Sequence, residues 1–213
     1  MNERPIDIPC PVCSTLGQVN MIAHIDEIPY FGEHTQVTLM CHACGWRQTD
    51  FIPAEGKKAG GWSIVIDSEE KLRARVVRSS SCTVVLPELD LQVNPGTSAT
   101  GYVSNIEGVL NRFQEIINML QRDLVAQFEQ GSEENRDEVI EHMATLQSMT
   151  LTLSQLGQPE AETVTLELLD PHGHSMIMHE DATERELTPT ELEDLPVGPD
   201  PAVFSKDELD GSS

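Results

Sequence analysis

Two Cys-x-x-Cys turns, Cys10-Pro-Val-Cys13 and Cys41-His-Ala-Cys44, stand 27 residues apart. A turn of this kind holds its two sulfurs about 4 Å from one another, so the pair offers the four thiolates of a tetrahedral zinc ion with Zn–S bonds of about 2.3 Å. Four sulfurs leave no coordination position for water, which marks a structural rather than a catalytic ion. Such an ion contributes about 10–16 kcal/mol to folding. The competing chemistry is a disulfide or thiol-redox pair, and two separated motifs outside a strand-to-helix redox context suit the metal better. The fifth thiol, Cys82, lies in the apolar run Cys82-Thr-Val-Val-Leu86 and is read as a buried strand residue. His172, His174 and His179 flank a predicted turn; hydrogen bonding in the turn is preferred to a second metal site.

The elements that must position the cysteines follow from hydrophobic period. Residues 1–9 form a polar lead, and 10 to about 52 form the zinc module. In that module Val19–Ile25 and Gln36–Met40 alternate apolar with polar residues, as strands joined by the turn Ile28-Pro-Tyr-Phe-Gly-Glu33. A connector over 53–61 leads to strand-like runs at Trp62–Ile66, Leu72–Val77, Thr83–Leu86 and Leu89–Val93. The period then changes to helical. Ser104-Asn-Ile-Glu107 reads as a capping box, and apolar residues from Ile106 to Phe128 and from Val139 to Leu156 mark two amphipathic helices, an antiparallel hairpin over about 104–157. Strand character returns at Thr163–Leu169 and Ser175–Met178. The expected organisation is a zinc-ribbon domain over 1–52, a mainly β domain carrying the hairpin over 62–180, and an acidic, disordered tail over 181–213.

Charge narrows the function. The formal net charge is −23, from 36 acidic against 13 basic residues. Acids are spread along the chain, the last 35 residues holding 11 and the segment 103–157 holding nine. Such a surface stays hydrated in molar salt, where the Debye length is about 3 Å and self-repulsion is screened. A cytoplasm of high salt content is the favoured reading, with an ordinary acidic protein carrying a disordered tail as the alternative. The first reading predicts a melting temperature that rises between about 0.1 M and 2 M salt; a flat profile contradicts it. No stretch reaches about 18 apolar residues and the N-terminus has no basic-then-apolar segment, so a soluble cytoplasmic protein is expected. Phosphate neutralisation drives nucleic-acid affinity, and this chain has little to offer beyond Arg47, Lys57, Lys58 and Lys71-Leu-Arg-Ala-Arg-Val-Val-Arg78. Alternation there would set Lys71, Arg73 and Arg75 on one face of a strand, either solvated or docking an acidic partner.

Seven motifs stand in order along the chain: Cys10-Pro-Val-Cys13, Ile28-Pro-Tyr-Phe-Gly-Glu33, Cys41-His-Ala-Cys44-Gly45, Arg75-Val-Val-Arg78-Ser79, Pro87-Glu-Leu89 with Pro95-Gly96, Ser104-Asn-Ile-Glu-Gly-Val-Leu110 and Asp170-Pro-His-Gly-His-Ser175. In that order they resemble the ZPR-type zinc-finger proteins, over about residues 8–180. Eukaryotic members carry two tandem units and this chain one, which resembles the archaeal form. The resemblance implies a four-cysteine zinc ribbon followed by a double-stranded β-helix-like A-domain with a helical hairpin. It also implies a partner, translation elongation factor 1-alpha, for which eukaryotic members act as a folding chaperone. His174 stands where the family usually has asparagine.

Three classes of function follow. The leading one is a non-enzymatic adaptor or chaperone for an elongation factor 1-alpha-type GTPase. Its contact surface is the ribbon turn with Tyr30, Phe31 and Glu33, since two adjacent aromatics in a chain with nine suit an interface anchor. The rings could equally cover the zinc site or the seam between domains. The second class is a nucleic-acid-binding ribbon. An enzyme is the third, and the chain has no nucleophile elbow, phosphate-binding glycine loop or HExxH motif to support it.

Overall fold

A long two-stranded ribbon organises the N-terminal quarter of the chain. The computed structural model describes residues 2–28, 32–53, 58–96, 99–130 and 136–196. Strands β1 (Asn2–Ile6), β2 (Val19–Ile28), β3 (Gly32–Cys41) and β4 (Arg47–Pro53) form a four-stranded sheet in that order. The β2–β3 pair runs from Val19↔Cys41 to Ile28↔Gly32 without interruption. Its inward residues Val19, Met21, Val37 and Leu39, with Cys10, Cys41 and Trp46, make a small core. The polar lead is therefore partly structured: Asn2–Ile6 is an edge strand, and Pro5 is tolerated there because an edge leaves N–H positions unused. The turn residues 29–31, including Tyr30 and Phe31, lie outside the described residues.

Eight further strands build two sheets. Strands β5 (Gly60–Ile66), β7 (Thr83–Leu86), β8 (Leu91–Val93), β10 (Val164–Asp170) and β12 (Thr183–Glu186) make a five-stranded antiparallel sheet in the order β12-β5-β10-β7-β8. Strands β6 (Arg75–Arg78), β9 (Tyr102–Asn105) and β11 (Met176–Met178) make a three-stranded one in the order β11-β6-β9. Between β9 and β10 the chain forms α2 (Ile106–Gln130) and α3 (Arg136–Gln155); α1 (Glu69–Leu72) and α4 (Pro189–Asp194) are short. Ile64, Ile66, Val84, Leu166 and Leu168 from the larger sheet, Val76 and Ile177 from the smaller, and Ile106, Val109, Phe113, Ile117, Leu153 and Leu156 from the helical segment share one core. The architecture is mixed α/β with several sheets.

Helix α2 packs on α3, Gln114 Nε2 donating to Thr150 Oγ1 and the Arg136 guanidinium covering the Phe128 ring. Burial is concentrated in the halves nearest the sheets: Ile117 and Leu153 are buried, whereas Leu120, Val125 and Ile140 are exposed and, among the described residues, only Val139 is buried toward the far end. The amphipathic stripe is longer than the core it serves. At the start of α2 the cap is Asn105, whose Oδ1 accepts from the Gly108 N–H, one residue after the expected Ser104.

Two expectations are corrected. The basic strip is not a strand face, because Lys71 lies in α1, buried, with Nζ between Asp67 at 2.9 Å and Asp181 at 3.0 Å. Arg73 caps that turn and pairs with Glu69. Of Lys71, Arg73 and Arg75 only Arg75 lies in the strand, so no row of cations is presented. Nor is the chain structureless after residue 180. Strand β12 pairs with β5, and Thr188 caps α4 in a reciprocal box with Glu191. Arg185 and then Thr188 hold the Glu191 carboxyl down to about 2.

Candidate metal centre and domain seam

Both cysteine turns fold by the same hydrogen bonds. Ser14 N–H donates to Cys10 O at 2.8 Å and Gly45 N–H to Cys41 O at 2.9 Å; Cys10 N–H donates to Thr15 O and Cys41 N–H to Trp46 O. Each turn closes on a residue of positive φ, +57° at Ser14 and +77° at Gly45. Glycine adopts that conformation at no steric cost, so Gly45 fits it and Ser14 is mildly strained. The turns sit at one end of the ribbon, where β2 begins and β3 ends.

The four sulfurs converge there. All lie within 4.8 Å of one another, with Cys10 Sγ 3.7 Å from Cys44 Sγ and Cys13 Sγ 3.7 Å from Cys41 Sγ. A tetrahedron of Zn–S bonds of about 2.3 Å has edges of about 3.8 Å, so the cluster is the right size for one zinc ion. Cys10 and Cys41 are buried, Cys13 and Cys44 exposed. The Thr15 hydroxyl, then its backbone N–H, hold the Cys13 thiol down to about 6. Although the Trp46 backbone N–H favours its thiolate, Cys44 is pushed up to about 12 by partial loss of solvation and the neighbouring sulfurs. Four negative sulfurs cannot share this volume without a cation, and a divalent ion converts their repulsion into ligation. His42, inside the second turn, contacts Glu3 Oε1 and Asn20 Nδ2, each at 3.1 Å, and so ties β1 to the site.

Among the described residues these cysteines are the only metal-capable cluster. The three C-terminal histidines are not brought together as ligands. His179 Nε2 bonds Glu70 Oε2 at 2.9 Å, while the rings of His172 and His174 lie 5.9 Å apart. Cys82 is buried at the entrance to β7, and burial pushes its thiol up to about 12. Glu33 is exposed at the start of β3, opposite Glu27.

Residues 70–194 match the jelly-roll domain of ZPR1. The chain belongs to the ZPR1 zinc-finger family. It is 38% identical over 189 residues to an uncharacterised ZPR1-like protein of Methanocaldococcus jannaschii, covering 89% of this chain and 88% of that one. An uncharacterised ZPR1-like protein of Pyrococcus horikoshii is 35% identical over 190 residues, covering 89% of this chain and 80% of its own. The zinc finger chaperone zpr1 of Schizosaccharomyces pombe is 30% identical over 106 residues, 47% of this chain and 22% of that protein.

In this ZPR1-family chain a second polar site went unnoticed by sequence reasoning. Ser79-Ser80-Ser81, between β6 and β7, is buried and held from both sides. Ser79 Oγ and Ser81 Oγ each donate to Asp170 at 2.8 Å, joined by Ser175 Oγ at 2.7 Å and the His172 N–H at 3.0 Å. From the zinc-bearing sheet, Asp50 on β4 accepts from Ser80 N–H at 2.9 Å and Ser80 Oγ at 2.6 Å. Gly101 completes the seam: its N–H donates to Thr49 O, and a Cβ there would stand 2.8 Å from Asp50 Oδ1. Burial pushes Asp170 up, yet the hydroxyls of Ser175, Ser81 and Ser79 together hold it below the usual carboxylate range. The serine run was the available signal, a polar triplet set between two apolar strands.

Proposed function

We propose that this protein is a zinc-dependent, non-enzymatic adaptor or folding chaperone for a translation elongation factor 1-alpha-type GTPase, working in a cytoplasm of high salt content. The observation that carries the reading is family membership, together with the chaperone role in the name of the Schizosaccharomyces pombe relative. The two sheets and paired helices beyond residue 58 are read as the double-stranded β-helix-like A-domain with its helical hairpin. The ribbon fits the role of a presenting arm. Nine residue steps separate Val19↔Cys41 from Ile28↔Gly32, about 30 Å of paired strand, so Ile28 and Gly32 stand at the end remote from the cysteines. Metal would act on the turn through the rigidity of the ribbon, and a closed four-sulfur shell suits scaffolding rather than catalysis. The nucleic-acid alternative loses its best support with Lys71 in ion pairs.

Titration of the purified GTPase against the Tyr30→Ala, Phe31→Ala double variant tests the reading. Affinity is expected to fall by more than about 2 kcal/mol, with zinc content and thermal unfolding unchanged. Unchanged affinity would move the contact away from the turn, and no binding by the wild type would remove the partner.

A further inference from the structure

Between the end of β6, β9 and the first turns of α2 lies a cavity of about 400 Å³. Its walls are apolar, from Val84, Val93, Val109, Phe113 and Ile116. Its polar groups are unusual for so acidic a chain. Arg78 and Tyr102, directly opposite on β6 and β9, and Arg112 on α2 all line it. Both guanidiniums lie near the Tyr102 ring, its centroid 4.1 Å from Arg112 Cζ and 5.8 Å from Arg78 Cζ. Burial pushes the phenol up, so the ring is neutral and leaves the two positive charges uncompensated.

Neither arginine has a carboxylate partner within ion-pair distance among the described residues. Arg78 is buried and spends Nη1 and Nη2 on the carbonyls of Thr100 and Cys82; Arg112 has only the ring. In a chain with 36 acids and 13 bases, two cations that line one apolar cavity with no acid paired to them among the described residues are unusual. A buried or ring-stacked arginine is a standard receptor for a carboxylate, which it meets through two parallel N–H donors. Glu115 also lines the cavity, which disfavours a second negative charge on the ligand.

We propose that this cavity is a binding site for a small organic monoanion, a carboxylate carried on an apolar body, with Arg112 receiving the carboxylate, Arg78 adding its positive charge, and the valine and phenylalanine wall receiving the body. The volume lies in the range of small-molecule sites, about 300–1,000 Å³. The cavity belongs to the sheet-and-helix body rather than to the ribbon, so its ligand is independent of the partner proposed above.

The test is calorimetric titration of the zinc-loaded full chain with 3-phenylpropionate, its neutral counterpart 3-phenylpropanol, and phenylalanine-terminated tetrapeptides with free or amidated C-termini. Saturable binding of the acid, at least about tenfold tighter than the alcohol, is expected. Arg112→Gln should weaken the acid about tenfold and leave the alcohol unchanged, and Arg112→Lys should recover part of the loss. Arg112 is exposed, so neither substitution threatens folding. Preference for the free acid over the free-carboxylate peptide identifies a metabolite site, and the reverse a chain-terminus site. No saturable binding of any carboxylate, or binding indifferent to Arg112→Gln, overturns the proposal.

Discussion

Cys41→Ser is expected to strip the protein of zinc and unfold its four-stranded sheet while the rest of the chain stays folded. Cys41 is fully buried, ends β3, and supplies both a sulfur and the backbone groups that shape the second turn. A serine hydroxyl is not ionised at neutral pH and is a poor ligand for a borderline-soft cation, so the site falls to three sulfurs and loses most of about 10–16 kcal/mol of coupled binding and folding energy. The sheet has little else to hold it. Its core contains seven buried residues, two of them zinc ligands, against eighteen in the core shared by the other sheets and the helices. Hydrogen exchange should show protection lost over β1–β4 and kept over β5, β7 and β10. Stoichiometric zinc retained by the variant under chelator competition at neutral pH would refute this.

Asp170→Ala should cost about 3–5 kcal/mol of stability, the largest loss expected from a residue outside the metal centre. The carboxylate is buried and receives four hydrogen bonds, from Ser79, Ser81, Ser175 and the His172 N–H. Its removal orphans donors that water cannot reach and frees the serine run that Asp50 grips from the other sheet. The effect has a pH signature. Because the folded-state value lies below the ordinary 3.8, the contribution is present in full above that pH and is lost as pH falls through the lower folded-state value. The stability difference between wild type and Asp170→Asn in urea titrations should therefore be constant from pH 7 to about 5 and shrink below about 4. Denaturation midpoints that coincide for wild type and Asp170→Ala at pH 7 would rule out the clamp.

What the sequence by itself determined is what depends on neighbours along the chain. The four zinc ligands were legible because a CxxC turn is a local structure whose two sulfurs meet whatever the remaining chain does. Strands β2, β3, β5 and β10 and the two long helices were legible because each turns one face inward and so carries a period, and β7 because it is a continuous apolar run buried on both faces. Strand β1 was missed because Asn-Glu-Arg-Pro-Ile forms an edge whose inner face, Arg4 and Ile6, is only half-buried, and β12 because Thr-Glu-Arg-Glu is exposed throughout; both are held by backbone pairing to a neighbouring strand. Lys71, Arg73 and Arg75 have strand-like spacing, but two of them belong to a short helical turn closed by Asp67, Asp181 and Glu69. The serine clamp brings Asp50, Ser79–Ser81 and Asp170 together, and the cavity joins Arg78, Tyr102 and Arg112. Tertiary structure alone decided these, because a buried charge or hydroxyl is defined by the donors and acceptors that long-range packing brings to it, and no spacing along the chain encodes them.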